Sequence, residues 1–178
     1  MNETILNTNR GTDSSDDVLR LADVPLASVN SLLSNYGLSL KIIAAGSEIP
    51  GSFWGDEEAG LIGNDLLVRG DTPLHSLLHE ACHYVCLDEK RRNDLHTDAG
   101  GDYDEENAVC YLQILLADYI GHFDRQRMFT DMDHWGYTFR LGSAQAWFER
   151  DADDALSWLL QRGLINGQYE PCWTLRKD

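Results

Sequence analysis

Cations are scarce in this chain: 14 Lys and Arg stand against 30 Asp and Glu, giving a formal charge of −16 and a pI near 4.5. A surface so poor in positive charge repels phosphate backbones and anionic lipid headgroups, so neither nucleic acid nor a membrane surface is an expected partner. Long apolar runs are lacking too, since none approaches the roughly 20 residues needed to span a bilayer. The opening Met-Asn-Glu-Thr-Ile-Leu-Asn-Thr-Asn-Arg has no basic stretch followed by an apolar one, the layout of a secretion signal. The expected compartment is therefore the cytoplasm. Cysteines number four, and Cys82 and Cys86 lie one helical turn apart in an apolar segment. Reduced, buried thiols are expected from that placement, not a disulfide framework.

What is present is ordinary globular material. A 43% hydrophobic content spread over 178 residues supports one core and leaves little for a second. Residues 1–16 are rich in Asn, Thr, Ser, Asp and Gly and read as a mobile tail, leaving 17–178 as a single domain. Leu26 to Tyr36 carries apolar residues at helical spacing and stops at Gly37. Leu38 to Ala45 alternates partly and contains a β-branched pair, which predicts a strand. Gly60-Leu61-Ile62 and Leu66-Leu67-Val68 flank Gly63-Asn64-Asp65 and predict a hairpin.

From Asp71 the period turns helical. Pro73 suits a first turn, and Leu74, Leu77, Leu78, Ala81, Cys82 and Val85 fall on one arc of a helix running to Cys86. A polar loop with Gly100 and Gly101 leads into a second helix, about Asp104 to Tyr119. Beyond it, Trp135, Trp147, Phe148, Trp158 and Leu160 mark two or three further helices whose aromatics face the core. The expected class is α+β: a small, mostly antiparallel sheet packed on the helix over 73–86, with a mainly helical C-terminal half.

Within that helix stands His79-Glu80-Ala81-Cys82-His83, the pattern His-Glu-x-x-His. Four-residue spacing stacks two imidazoles on one helix face, where both reach a single tetrahedral ion. Glu80 projects beside them, placed to take a proton from a metal-bound water and pass it to a leaving group. Chance supplies this pattern on the order of 0.01 times in such a chain. Both histidines fall outside the apolar arc, which disfavours a pair of satisfied core histidines and leaves a solvent-facing pair as the competing reading.

A catalytic zinc takes three protein ligands and leaves one position open. His75, Cys86, His96, Asp98, Asp102, Asp104, Glu105 and Glu106 are near enough in sequence to supply the third. On the second helix Ala108, Val109, Leu112, Leu115, Leu116 and Tyr119 form an apolar arc, and Glu105 projects onto its middle. Glu106 points about 100° away, toward the side of Gln113 and Ala117. A carboxylate in a buried stripe is costly unless paired, so Glu105 is the favoured ligand and Glu106 the second choice. A closed structural site completed by Cys86 or His75 is a further arrangement, though it leaves Glu80 without a purpose. The aromatic segment Asp133 to Arg140 reads as a helix end with packing side chains, and secondarily as a source of an oxyanion donor.

These pieces resemble the gluzincin class of zinc metallopeptidases, in their minimal single-domain form. The resemblance covers roughly Leu38 to Asp118: strands, then His79 to His83 on a helix, then Glu105-Glu106-Asn107-Ala108 opening a second helix. It implies a zincin-like fold, a zinc ion (Zn2+) held by His79, His83 and Glu105, and Glu80 as general base. It also implies hydrolysis of a peptide or protein substrate held along a strand edge within Leu61 to Val68. Where many members carry Asp or Asn four residues beyond the glutamate, this chain has Val109. A zincin-like sensor or protein-binding module without turnover is the alternative function.

Overall fold

Three short strands and seven α-helices form the described residues, which are 17–52, 56–95 and 99–178 of a computed structural model. The tail expected over 1–16 lies outside them. Helix α1 (Leu26–Ser34) starts from Pro25 and buries Val29, Leu32 and Leu33 at helical spacing. Gly37, at φ +73°, turns the chain into β1 (Ser39–Ile42). The expected hairpin forms from β2 (Gly60–Ile62) and β3 (Asp65–Val68), joined by Gly63 and Asn64.

The sheet has the order β1-β3-β2, with β1 parallel to β3 and β2 antiparallel to it. A mixed sheet thus replaces the mostly antiparallel one expected. The local pattern of a strand reports that it is a strand and not which way its neighbour runs. The chain between β1 and β3 is long enough for a parallel pairing, and among its described residues β2 is the only strand or helix. β3 is the central strand, and its Leu66 and Val68 are wholly buried.

Helix α2 (Leu74–Cys86) packs against β2 and β3 on one side and against the later helices on the other. A short α3 (Glu89–Asn93), capped by Asp88 accepting from the Arg91 amide, occupies part of the expected polar loop. α4 (Tyr103–Ala117) is capped by Asp102 and packs on α2, then on α5 (Arg125–Trp135) and α7 (Asp153–Gln161). α6 (Ala144–Arg150), capped by Ser143, completes the helical half. None of the described helices is long and apolar enough to cross a membrane.

Burial of α2 is the main departure from the sequence pattern. Twelve of its thirteen residues are buried and only Glu80 is part-exposed. The arc that excludes the histidines is real, but the opposite side faces protein too, because α4 and α5 cover it. A surface helix with two solvent-facing histidines is therefore not what forms.

The outer edge of β2 is closed by the chain itself. The Leu61 amide donates to the Gly51 carbonyl at 3.3 Å, and a Cβ at Gly60 would lie 2.1 Å from the Pro50 carbonyl oxygen. Gly60→Ala must therefore displace backbone and should destabilise the fold by about 2 kcal/mol, the scale of overpacking a filled site. Gly167→Ala, at a position with nothing within 4 Å, is the matched control and should be near neutral. Urea unfolding midpoints of the two variants test the contrast.

Candidate metal centre

Helical spacing places His75, His79 and His83 along one side of α2, one turn apart. His79 and His83 converge: their Nε2 atoms are 3.1 Å apart and their rings stand perpendicular. They are only 8% and 5% exposed. Glu106, in the first turn of α4, brings Oε1 to 3.6 Å from His83 Nε2 and Oε2 to 4.0 Å from His79 Nε2. The ligand atoms of these three residues all lie within 4.8 Å of one another. Two nitrogens on one tetrahedral zinc stand about 3.3 Å apart. The imidazole pair is already near that separation, and the Glu106 carboxylate lies farther out, at 3.6 and 4.0 Å.

A glutamine fixes the first imidazole. Gln113, two turns beyond Glu106, places Oε1 2.7 Å from His79 Nδ1, while its Nε2 donates to the His75 carbonyl at 3.4 Å. The amide orientation set by that second bond makes Oε1 the acceptor, so His79 carries its proton on Nδ1 and presents a bare Nε2 to the pair. This buttress sits on the side of α4 shared by Glu106. His83 has no such support: its Nδ1 is buried without a hydrogen-bond partner. Burial, with His79 and Arg91 adding to it, holds the His83 imidazole well below its ordinary pKa and so keeps it neutral.

His75 stays behind the pair. It is 1% exposed, its Nδ1 lies 3.3 Å from the Tyr137 hydroxyl, and its ring packs between Trp135 and Tyr137. Tyr137 reaches this place because α5 ends in a Schellman turn. Gly136 adopts φ +101°, and the Tyr137 amide donates back to the Met132 carbonyl. Burial above all, with nearby Cys110, Glu58 and Glu80, pushes the Tyr137 phenol well above its ordinary pKa and keeps it a hydroxyl. The segment read as a helix end with packing aromatics is one, and it also walls the histidine side of α2. Trp135 Nε1 donates to buried Glu58 at 3.0 Å on the same wall.

The structure brings His79 and His83 together but does not bring Glu105 to them. Glu105 is 3% exposed, and its Oε2 accepts from Arg91 Nη2 at 2.5 Å and Arg176 Nη1 at 2.9 Å. Its buried charge is paired, as the sequence argument requires, but with two guanidiniums. The neighbouring position, turned by 100°, is the one that faces the imidazoles. Cys86 is buried and its thiol is pushed up by burial and by Glu105; neither it nor His75 joins the group of possible ligands. Asp102 is occupied as the cap of α4. His96 and Asp98 lie outside the described residues. Nor is Leu61–Val68 a single free edge: β3 is internal, and β2 has its Leu61 amide taken by Gly51.

Comparison of the chain with protein-family models, with curated proteins and with solved structures found no match.

Two outcomes follow from this geometry. Glu106→Ala should lower zinc affinity at least tenfold, and Gln113→Ala should lower it on the order of 10- to 100-fold by releasing the His79 ring, both read by competition against a chromophoric chelator. The metal-free protein should also be acid-sensitive. Burial takes His75 down to about 3, whereas the unfolded chain protonates near 6.5. The unfolded state thus binds more protons between those values, so stability is full above about pH 6.5 and falls as pH drops toward 3. This one group accounts for about 1.4 kcal/mol per pH unit. Unfolding free energies of wild type and His75→Gln across pH 4–7, with chelator present, should differ in slope by one proton.

Proposed function

We propose that this chain is a zinc-dependent hydrolase, most directly a peptidase, in which His79, His83 and Glu106 hold the ion and Glu80 is the general base. The observation that carries the reading is the convergence of two buried imidazole Nε2 atoms and one carboxylate; Glu80, next to His79 in the chain, is the only part-exposed residue of α2. When bound, the ion supplies Lewis acidity, polarising a carbonyl and making water a stronger acid.

The chain's own groups do the rest. Gln113 holds His79 in the ligating tautomer. Glu106, with a side chain 31% exposed, is the ligand on the solvent side and so marks the direction of access. Glu80, adjacent to His79 and open to solvent on one side, accepts a proton from attacking water and returns it to the leaving amine. Tyr137 keeps its hydroxyl among His75 and Gln113 and supports the imidazoles from behind. The negative overall charge favours basic or neutral substrates, with a bias that weakens as salt rises.

The alternative of a metal-holding sensor or protein-binding module draws on a specific observation as well: both imidazoles are almost wholly buried, and the amide of the nearby edge strand is already occupied. Glu80→Gln separates the two. For the hydrolase, the variant should keep its fold and bind zinc to within about twofold of wild type while losing 10²-fold or more of the cleavage of a Lys- and Arg-rich peptide library. Full zinc occupancy in wild type with no Glu80-dependent cleavage favours the module.

A further inference from the structure

Glu105 and Glu106 are neighbours on the first turn of α4, yet one meets arginines and the other histidines, and what sorts them is a cluster outside the metal centre. We infer that Arg176, with Arg91, is a positioning group that sets the rotation of α4 by holding Glu105 and thereby directs Glu106 at His79 and His83. The inference rests on the metal-binding reading of those three residues.

The cluster ties the two relevant helix ends together. Arg176 donates from Nη1 both to Glu105 Oε2 at 2.9 Å and to the Cys86 carbonyl at 3.2 Å, so one guanidinium bridges the first turn of α4 and the last turn of α2. Its backbone is anchored as well. The Arg176 amide donates to the Val85 carbonyl at 3.0 Å, and Arg92 donates to the Arg176 carbonyl. Arg92 also donates to the Tyr84 and Leu87 carbonyls, satisfying acceptors that the end of α2 would otherwise leave bare. Arg91, fixed by Asp88, adds the second guanidinium on Glu105 Oε2. The fit is tight on the other face of Glu105, where a Cβ at Gly101 would lie 2.3 Å from Oε1. The same residue's amide donates to Glu106 Oε1 at 3.4 Å.

Two guanidiniums anchor the Glu105 carboxylate through Oε2, and the helix that carries it cannot turn about its axis without breaking both ion pairs. Since 100° separates successive residues, locking Glu105 onto Arg176 locks Glu106 toward the imidazoles. Arg176 touches no ligand and acts only through the α4 backbone.

The test uses Co2+ as the metal, because its visible absorption reports coordination number and geometry independently of turnover. Arg176→Ala and the near-isosteric Glu105→Gln should each weaken Co2+ binding on the order of tenfold or more and shift the visible bands, with Arg176→Lys intermediate. In a Glu106→Ala background neither substitution should weaken Co2+ binding further, since the ligand being positioned is gone. Circular dichroism selects variants that retain the helical fold, and Glu105→Gln keeps the question answerable if Arg176→Ala does not. Equal losses with and without Glu106, or unchanged affinity and spectrum in a folded Glu105→Gln, overturn the positioning role. Wild-type protein that takes up no Co2+ overturns the metal reading itself, and the inference falls with it.

Discussion

Burying all of α2 except Glu80 sets its polar atoms in need of partners inside the protein, and that need organises the rest of the molecule. An isolated polar side chain left unpaired in such a place costs on the order of 1–3 kcal/mol. Gln113 meets the need for His79, and the Tyr137 hydroxyl for one nitrogen of His75. The carbonyls at the end of the helix are met by Arg92 and Arg176. Each partner comes from a different element, so the helix, the later α4 and α5, and the segment around residue 176 are held to one another through the polar needs of a single thirteen-residue stretch. Two nitrogens of the helix go unmet, His75 Nε2 and His83 Nδ1, while the Nε2 atoms of His79 and His83 meet each other at 3.1 Å.

The elements that depend on near neighbours were the readable ones. The hairpin around Gly63 and the two helices over 74–86 and 103–117 follow from spacing and turn chemistry within a dozen residues. The His-Glu-x-x-His placement was readable for the same reason, since both imidazoles lie on one helix. Whatever required knowledge of a distant residue was not. The parallel pairing of β1 brings together residues 26 positions apart, Ser39 with Asp65. The third member of the histidine group depends on Arg176, which lies 71 positions from Glu105.

Glu105 illustrates the limit most directly. That a carboxylate on the buried arc needs an opposite charge was sound physics, and the structure supplies one. The sequence contains several cations and one suspected metal, and burial alone does not say which of them a buried acid will meet. A signal did exist on the other side of the helix: Gln113 is a polar residue within an otherwise apolar stretch, and it shares its side with Glu106. A lone amide in such a run is often there to orient something.

The strap at Pro50–Ser52 bears on how the molecule behaves among its own kind. A sheet edge exposes unpaired amides and carbonyls that invite a strand from a second chain. Here the β2 side is closed by the Gly51 carbonyl and by a glycine contact too tight to admit another backbone. What is left is β1, four residues long, with Lys41 exposed upon it and engaged with Asp65 across the ladder. So short and charged a margin gives an incoming strand little to grip, which makes the sheet a poor seed for aggregation despite its apolar interior.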